Sequence, residues 1–275
     1  MPTRDDGVVI AVDDETIAGT LVSPRRRVPA VLFVHGWGGS QEHYIARARE
    51  VAALGCICLT FDLRGHVQTQ AQKDTVSREE NLRDVLAAYD VLAKQRGVDP
   101  ERIAVVGSSY GGYLGAILTA KRKVRWLALR VPALYKDSGW TVPKSRLKKT
   151  QDLEAYRRKP VQASQSRALR ACATFAGDVL IVESEHDVTV PHQVIVNYRE
   201  ACKQARSLTY RVIEDADHGL SEPLWQQTYT SILVSWLSEM LLGMRPSIEA
   251  AHPVAPSAAP PTAAVAVGTA TTETT

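Results

Sequence analysis

A chain of 275 residues that is 45% hydrophobic and 23% charged has room for one large α/β domain and the composition of an ordinary globular protein. Its formal charge of +3, with no dense Lys/Arg tract interleaved with aromatics, argues against nucleic acid as a partner. No stretch approaches the roughly 18 apolar residues that cross a bilayer, and the start Met1-Pro2-Thr3-Arg4 has no apolar run of a secretory signal behind it, so the expectation is a cytoplasmic protein without membrane attachment.

Val8 to Val22 reads as two strands joined at Asp13-Asp14, followed by a basic loop at Arg25-Arg26-Arg27 between Pro24 and Pro29. From there strands and helices alternate. Ala30 to His35 is a continuous apolar run, as expected of a strand covered on both faces. A helix is predicted from about Glu42 to Leu54, stopped by Gly55, and a buried strand from Cys56 to Asp62. Ser77 to Arg96 is a long amphipathic helix: Ser77 and Glu80 fit a capping box, and Leu82, Val85, Leu86, Tyr89 and Leu92 mark its apolar face. Further strands are predicted at Ile103 to Val106, Val124 to Val131, Val179 to Val182 and Ser207 to Ile213. Helices are predicted at Gly111 to Ala120, His192 to Lys203 and Leu224 to Leu242. Repeated strand–helix units argue for a parallel sheet with helices on both faces, preceded by an antiparallel hairpin.

Two regions break the rhythm. Residues 132–175 read as a short helical cap insertion, rich in Lys and Arg (among them Lys144, Lys148, Lys149, Arg157 and Arg158) against only Asp137, Asp152 and Glu154. Residues 246–275 are Ala, Pro and Thr with few large apolar side chains, so a disordered tail is expected there, after a single domain over 1–245. Cys56 and Cys58 lie two apart in a strand, on one face, which disfavours a bridge between them. No second Cys/His pair stands at ligand spacing, and neither a metal nor an organic cofactor is implied.

The chemistry concentrates at Ile103-Ala-Val-Val-Gly-Ser-Ser-Tyr-Gly-Gly112. It holds Gly107-x-Ser109-x-Gly111 directly after an apolar strand and directly before a helix. A nucleophilic serine must stand clear of the sheet on a sharp turn, where backbone passes so close that side chains at Gly107 and Gly111 would clash. The helix start that follows offers peptide N–H groups and a positive dipole end to a developing oxyanion. Ser108 is the competing hydroxyl, but only Ser109 has glycine at both −2 and +2. No Gly-Lys-Ser/Thr of a phosphate-binding loop is present.

Through these residues the chain resembles the α/β-hydrolase family, from about Ala30 to Leu242. The resemblance implies an eight-stranded, mostly parallel sheet with nucleophile, acid and histidine in that chain order. Asp187, followed by Val190-Pro191, is similar to the family's acid loop. Glu183 and Glu185 are nearby carboxylates, and a turn or helix-capping role is the alternative for Asp187. Asp217-His218-Gly219 occupies the loop between the last strand and the last helix, where the family's histidine lies, with a plain surface histidine as the alternative; His186 and His192 flank the acid loop. The oxyanion donors implied are the backbone N–H of Tyr110 and of Trp37, the latter in His35-Gly36-Trp37-Gly38-Gly39, with His35 structural. Phe61-Asp-Leu-Arg-Gly-His66 matches a recurrent family segment, in which Asp62 and Arg64 stabilise a turn. Val67-Gln68-Thr69 then departs from the Gly and Ser that often follow.

The compact core and the His-Gly-Trp-Gly-Gly loop most resemble dienelactone-hydrolase-like and feruloyl-esterase-like carboxylesterases. The implied reaction is hydrolysis of a small-molecule carboxylic ester through an acyl-serine intermediate. Two other readings stay open: a thioesterase or acyltransferase acting on a carrier-bound acyl group, and a catalytically silent hydrolase-like binding protein. The short cap and the lack of a propeller-sized preceding domain argue against an oligopeptidase. Oligomeric state is not legible.

Overall fold

The structure is a computed structural model, and it describes residues 4–23, 28–147 and 152–243. Its centre is one eight-stranded sheet. The strands are β1 (Arg4–Val12), β2 (Glu15–Ser23), β3 (Val28–Val34), β4 (Ile57–Phe61), β5 (Val98–Ser108), β6 (Trp126–Arg130), β7 (Asp178–Ser184) and β8 (Ser207–Ile213). They lie side by side in the order β1-β2-β4-β3-β5-β6-β7-β8. β1 and β2 form the antiparallel hairpin, β2 runs antiparallel to β4, and every other pairing is parallel. This is the fold class expected from the alternation and the resemblance. β5 starts earlier than its apolar run, because Val98 pairs with Val28 across a register shift before Ala30 meets Ile103.

The helices are α1 (Glu42–Ala53), α2 (Arg78–Ala93), α3 (Tyr110–Leu118), α4 (Leu153–Arg157), α5 (Arg167–Thr174), α6 (His192–Ala201) and α7 (Pro223–Leu242). The alternation of strand side chains splits the core in two. Ala30, Leu32, Val34, Ile103, Val105, Leu127 and Leu129 pack under α2, α3, α5 and α6. Val31, Phe33, Ala104, Val106, Trp126 and Ala128 pack under α1 and α7. The central strands are therefore buried on both sides, which is why they read as unbroken apolar runs. α2 carries the predicted capping box: Ser77 Oγ accepts from Glu80 N–H, and the Glu80 carboxylate accepts from Ser77 N–H.

The stretch between β6 and β7 is of two kinds. α5 belongs to the helix layer, since its Ala168, Leu169 and Cys172 are buried in the same core as α3 and α6. The cap insertion expected over 132–175 therefore ends before α5. Before α5, the short turns and α4 place Tyr135, Lys144 and Leu153 along a cavity that reaches Ser109. Arg78 ties this part to α2: wholly buried, it donates to the carbonyls of Lys136 at 2.7 Å and Ser138 at 2.8 Å. The expected tail at 246–275 lies outside the described residues, as do Lys148 and Lys149.

Candidate active site

The strand–helix junction at Ser109 is as tight as its glycines suggest. A Cβ on Gly111 would lie 2.1 Å from the Val34 carbonyl oxygen, and one on Gly107 2.5 Å from that of Gly111. Ser109 has φ 51°, a left-handed conformation that a side chain other than glycine adopts at a cost of about 1–3 kcal/mol. Backbone bonds hold it there: Ser109 N–H donates to the Arg130 carbonyl at 2.9 Å, and its own carbonyl accepts from Tyr113 and Ala133.

From this serine a chain of hydrogen bonds runs across three loops. Ser109 Oγ and His218 Nε2 are 3.0 Å apart, and His218 Nδ1 lies 2.6 Å from Asp187 Oδ2. The second carboxylate oxygen of Asp187 accepts from the N–H groups of Thr189 and Val190, both at 2.7 Å. Asp187 thus closes a turn with one oxygen and meets the histidine with the other. Its side chain is only 2% exposed, which keeps water from competing for that contact. The His218 loop is closed in turn by Asp217, which accepts from Ser221 N–H and from the Ser221 hydroxyl; these bonds hold the Asp217 carboxyl below its usual range.

The competing groups are occupied elsewhere. Ser108 is buried and its Oγ accepts from Arg130 Nε at 3.3 Å. Glu183 meets His192 Nδ1 at 2.7 Å and accepts from the Tyr210 hydroxyl. Glu185 accepts from Asp215 N–H at 2.9 Å.

The loop after β3 passes close behind the serine: a Cβ on Gly36 would lie 3.3 Å from Ser109 Cβ. Among the described residues, neither Trp37 N–H nor Tyr110 N–H donates to a protein acceptor. Two buried imidazoles set the path of this loop. His35 Nε2 accepts from Leu63 N–H at 3.0 Å, so the proton is on Nδ1, which donates to the Gly36 carbonyl at 2.8 Å. His66 Nε2 accepts from Gly38 N–H at 2.9 Å. Burial lowers His35 to about 4 and also lowers His66, so both act as neutral rings. The Trp37 ring packs edge-on to His66 and to Tyr110, with centroids 4.8 and 5.6 Å away.

Below them, Asp62 accepts from Gln41 through both oxygens, and Arg64 forms a buried ion pair with Asp84 at 2.6 Å. Both residues therefore stabilise turns. The unusual Val67-Gln68-Thr69 stretch closes by other means: Thr69 Oγ1 accepts from Gly65 N–H and donates to the His66 carbonyl. Val67 takes φ 47° to make that turn.

Two cavities meet at Ser109. One, of about 490 Å³, lies toward the α1/α7 face and is walled by Arg47, Arg130, Gln226 and Tyr229. The other, of about 860 Å³, lies under the cap and is walled by Tyr135, Lys144, Leu153, Arg157 and Val188. Lys144 Nζ stands 4.4 Å from the Trp37 ring centre and 5.2 Å from that of Tyr110. Arg47 and Arg130 are not among the residues that the sequence singles out, whereas Lys144 stands in the basic cap and His66 in the Phe61–His66 segment. Arg130 carried a signal: it is a charge at the end of Trp126-Leu-Ala-Leu-Arg130, on the face that Trp126 and Ala128 mark as buried. Arg47 carried none, since a polar residue on an amphipathic helix is ordinary.

The sequence model of the Prolyl oligopeptidase family matches residues 42–243. Among curated proteins, the chain is 31% identical over 117 residues to thiohydrolase aneE of Aspergillus aculeatus, covering 41% of this chain and 37% of that protein. It is 32% identical over 97 residues to the α/β hydrolase domain-containing protein WAV2 of Arabidopsis thaliana, covering 35% of this chain and 30% of that one. These matches span about a third of the relatives' own length. Among solved structures, Est1E from Butyrivibrio proteoclasticus with ferulic acid bound superposes at TM-score 0.66 and 17% identity, covering 86% of this chain and 99% of that one. A dienelactone hydrolase from Anabaena variabilis superposes at 0.61 and 18%, covering 86% and 97%. An acylaminoacyl peptidase from Pyrococcus horikoshii superposes at 0.65 and 16%, covering 87% of this chain but 42% of the peptidase. These three share the fold. Among the described residues, no helix is long and apolar enough to cross a membrane.

Proposed function

The chain belongs to the prolyl oligopeptidase family of α/β hydrolases, and from that premise we propose that it cleaves a carboxylic ester of a small molecule through an acyl-serine intermediate. The observation that carries this reading is the unbroken run of hydrogen bonds from Ser109 Oγ through His218 to Asp187. His218 Nε2 takes the Ser109 proton as Oγ attacks the ester carbonyl carbon, while Nδ1–H stays on the Asp187 carboxylate, which offsets the charge forming on the ring. The N–H groups of Trp37 and Tyr110 stabilise the tetrahedral oxyanion, a role worth on the order of 100- to 1,000-fold per donor. When the intermediate collapses, the C–O bond to the leaving group breaks and His218 Nε2 returns the proton to the departing alcohol. Water then repeats the sequence on the acyl-serine, releasing the acid and the free hydroxyl.

The likeness to a thiohydrolase favours one second reading, in which the same groups cleave a thioester. The four cysteines, all buried and free, support a reducing compartment such as the cytoplasm. A panel of 4-nitrophenyl esters and acyl thioesters of graded chain length, with a short peptide anilide alongside, separates these activities. Turnover of esters ahead of thioesters and the anilide is expected. No turnover of any of them by folded protein would favour a silent binding protein.

A further inference from the structure

The α1/α7-side cavity is positively charged in a way that the ester-hydrolase reading does not require. Arg130 is 7% exposed, at a strand position where the two preceding residues of the same face, Trp126 and Ala128, are core. A buried guanidinium is costly unless it is paired. Yet among the described residues no carboxylate lies within 4 Å of it, and its acceptors are two neutral oxygens, Ser108 Oγ at 3.3 Å and the His218 carbonyl at 2.9 Å. Among the described residues, Arg47 is a second cation without a carboxylate there; its Nε donates to Thr230 Oγ1 at 3.0 Å. Both guanidiniums are held on one ring: the centre of Tyr229 lies 4.6 Å from Arg47 Cζ and 5.7 Å from Arg130 Cζ. Among the described residues, no Asp or Glu lines the cavity. Two like charges gathered around a buried ring, with N–H donors left over and no counter-charge, form a half-built ion pair. An anion entering the cavity supplies the missing half.

We propose that this cavity is a substrate subsite for an oxyanion group, a carboxylate or a phosphate, carried on the same molecule as the ester. Arg130 reaches the oxygen of Ser108 and the carbonyl of His218, the immediate neighbour of the nucleophile and the histidine itself. An anion bound on it therefore lies only a few bonds from the carbonyl under attack, which suits the half-ester of a short dicarboxylic acid or a phosphorylated short acyl chain. The proposal rests on the ester-hydrolase reading for its chemistry, while the charge and the cavity stand without it.

Two measurements keep the two ideas apart. In the first, the ratio of kcat/KM for mono-4-nitrophenyl glutarate to that for 4-nitrophenyl valerate is compared between wild type and Arg47→Met. Arg47 is half-buried on a helix surface, so the variant is expected to fold, which its Tm checks. The wild-type ratio is expected to exceed one, to fall with added salt, and to drop about tenfold in Arg47→Met, the loss of one charge-assisted hydrogen bond. Arg130→Lys should lie between, since it keeps the charge and loses the planar fork. In the second, glutarate, butyramide and glycerol phosphate are titrated calorimetrically into Ser109→Ala protein, with and without Arg47→Met. Binding of either anion but not of neutral butyramide, weakened by Arg47→Met, supports the subsite even if no ester is ever cleaved, and whichever anion binds more tightly identifies the group. Equal ester ratios in wild type and Arg47→Met, or failure of both anions to bind, would overturn it.

Discussion

The two cavities that meet at Ser109 handle charge differently. Under the cap, cations and anions are mixed: Asp152 and Glu154 line that cavity together with Lys144, Arg157 and Arg158. Arg158 pairs with Glu154 at 3.0 Å, Arg157 donates to the carbonyls of Leu134 and Thr189, and Lys144 stands over aromatic rings. On the α1/α7 side, Arg47 and Arg130 have no carboxylate among the described residues around them. A count of charges along the sequence points to the cap, with its surplus of Lys and Arg, as the place that selects anionic substrates. The three-dimensional pairing points the other way. Net charge of a segment says little about an available charge; what matters is whether carboxylates line the same cavity as the cations.

Both cavities share one floor, so changes there should act on every substrate alike. Ser109→Ala should lower kcat by roughly a million-fold on anionic and neutral esters equally, the scale of losing the nucleophile in such an array, while Ser108→Ala remains active. Unequal losses on the two ester classes, measured with the same pair of 4-nitrophenyl esters, would mean that the cavities do not share a nucleophile.

The next effect is on stability. Burial holds His35 at about 4, below an ordinary imidazole near 6.5. As pH falls through about 6.5 the unfolded chain takes up this proton and the folded protein does not. The contribution is therefore complete above that pH and is lost progressively down to about 4, by about 3 kcal/mol at most. Urea titrations at steps between pH 7 and 4 should show the wild type losing more stability than His35→Asn. Parallel curves would contradict the buried, neutral assignment.

His66→Phe removes the acceptor for Gly38 N–H and should loosen the loop that carries Trp37. A fall in kcat of roughly tenfold with little change in KM is expected, a fraction of what losing an oxyanion donor costs. His66→Gln, which can still accept, should recover part of it. A change confined to Tm would reduce His66 to a packing residue.

The smallest effect belongs to the cap. Arg158→Gln breaks an exposed ion pair worth less than about 1 kcal/mol, so KM for either ester should change by less than about twofold. A selective rise in KM for the anionic ester would return anion selection to the cap.

Much of the fold was legible because its signals are local. Apolar runs marked the doubly covered strands, Ser77 and Glu80 marked the start of α2, and two glycines around Ser109 marked a turn that tolerates no side chain. Asp187 and His218 were found through chain order and resemblance, since nothing in their own neighbourhoods distinguishes them from turn and surface residues. What stayed hidden was non-local. Whether Arg130 has a counter-ion depends on α1 and α7, which are distant in sequence. The assignment of α5 to the helix layer likewise depends on its packing against α3 and α6, not on its composition.

The central claim is that Ser109 is the activated nucleophile. Its most direct test is labelling of the full chain with a fluorophosphonate, followed by peptide mass spectrometry. One adduct is predicted, on Ser109, absent from Ser109→Ala, retained in Ser108→Ala and much slower to form in His218→Ala. A folded protein that takes no label, or an adduct on another serine that persists in Ser109→Ala, would contradict it.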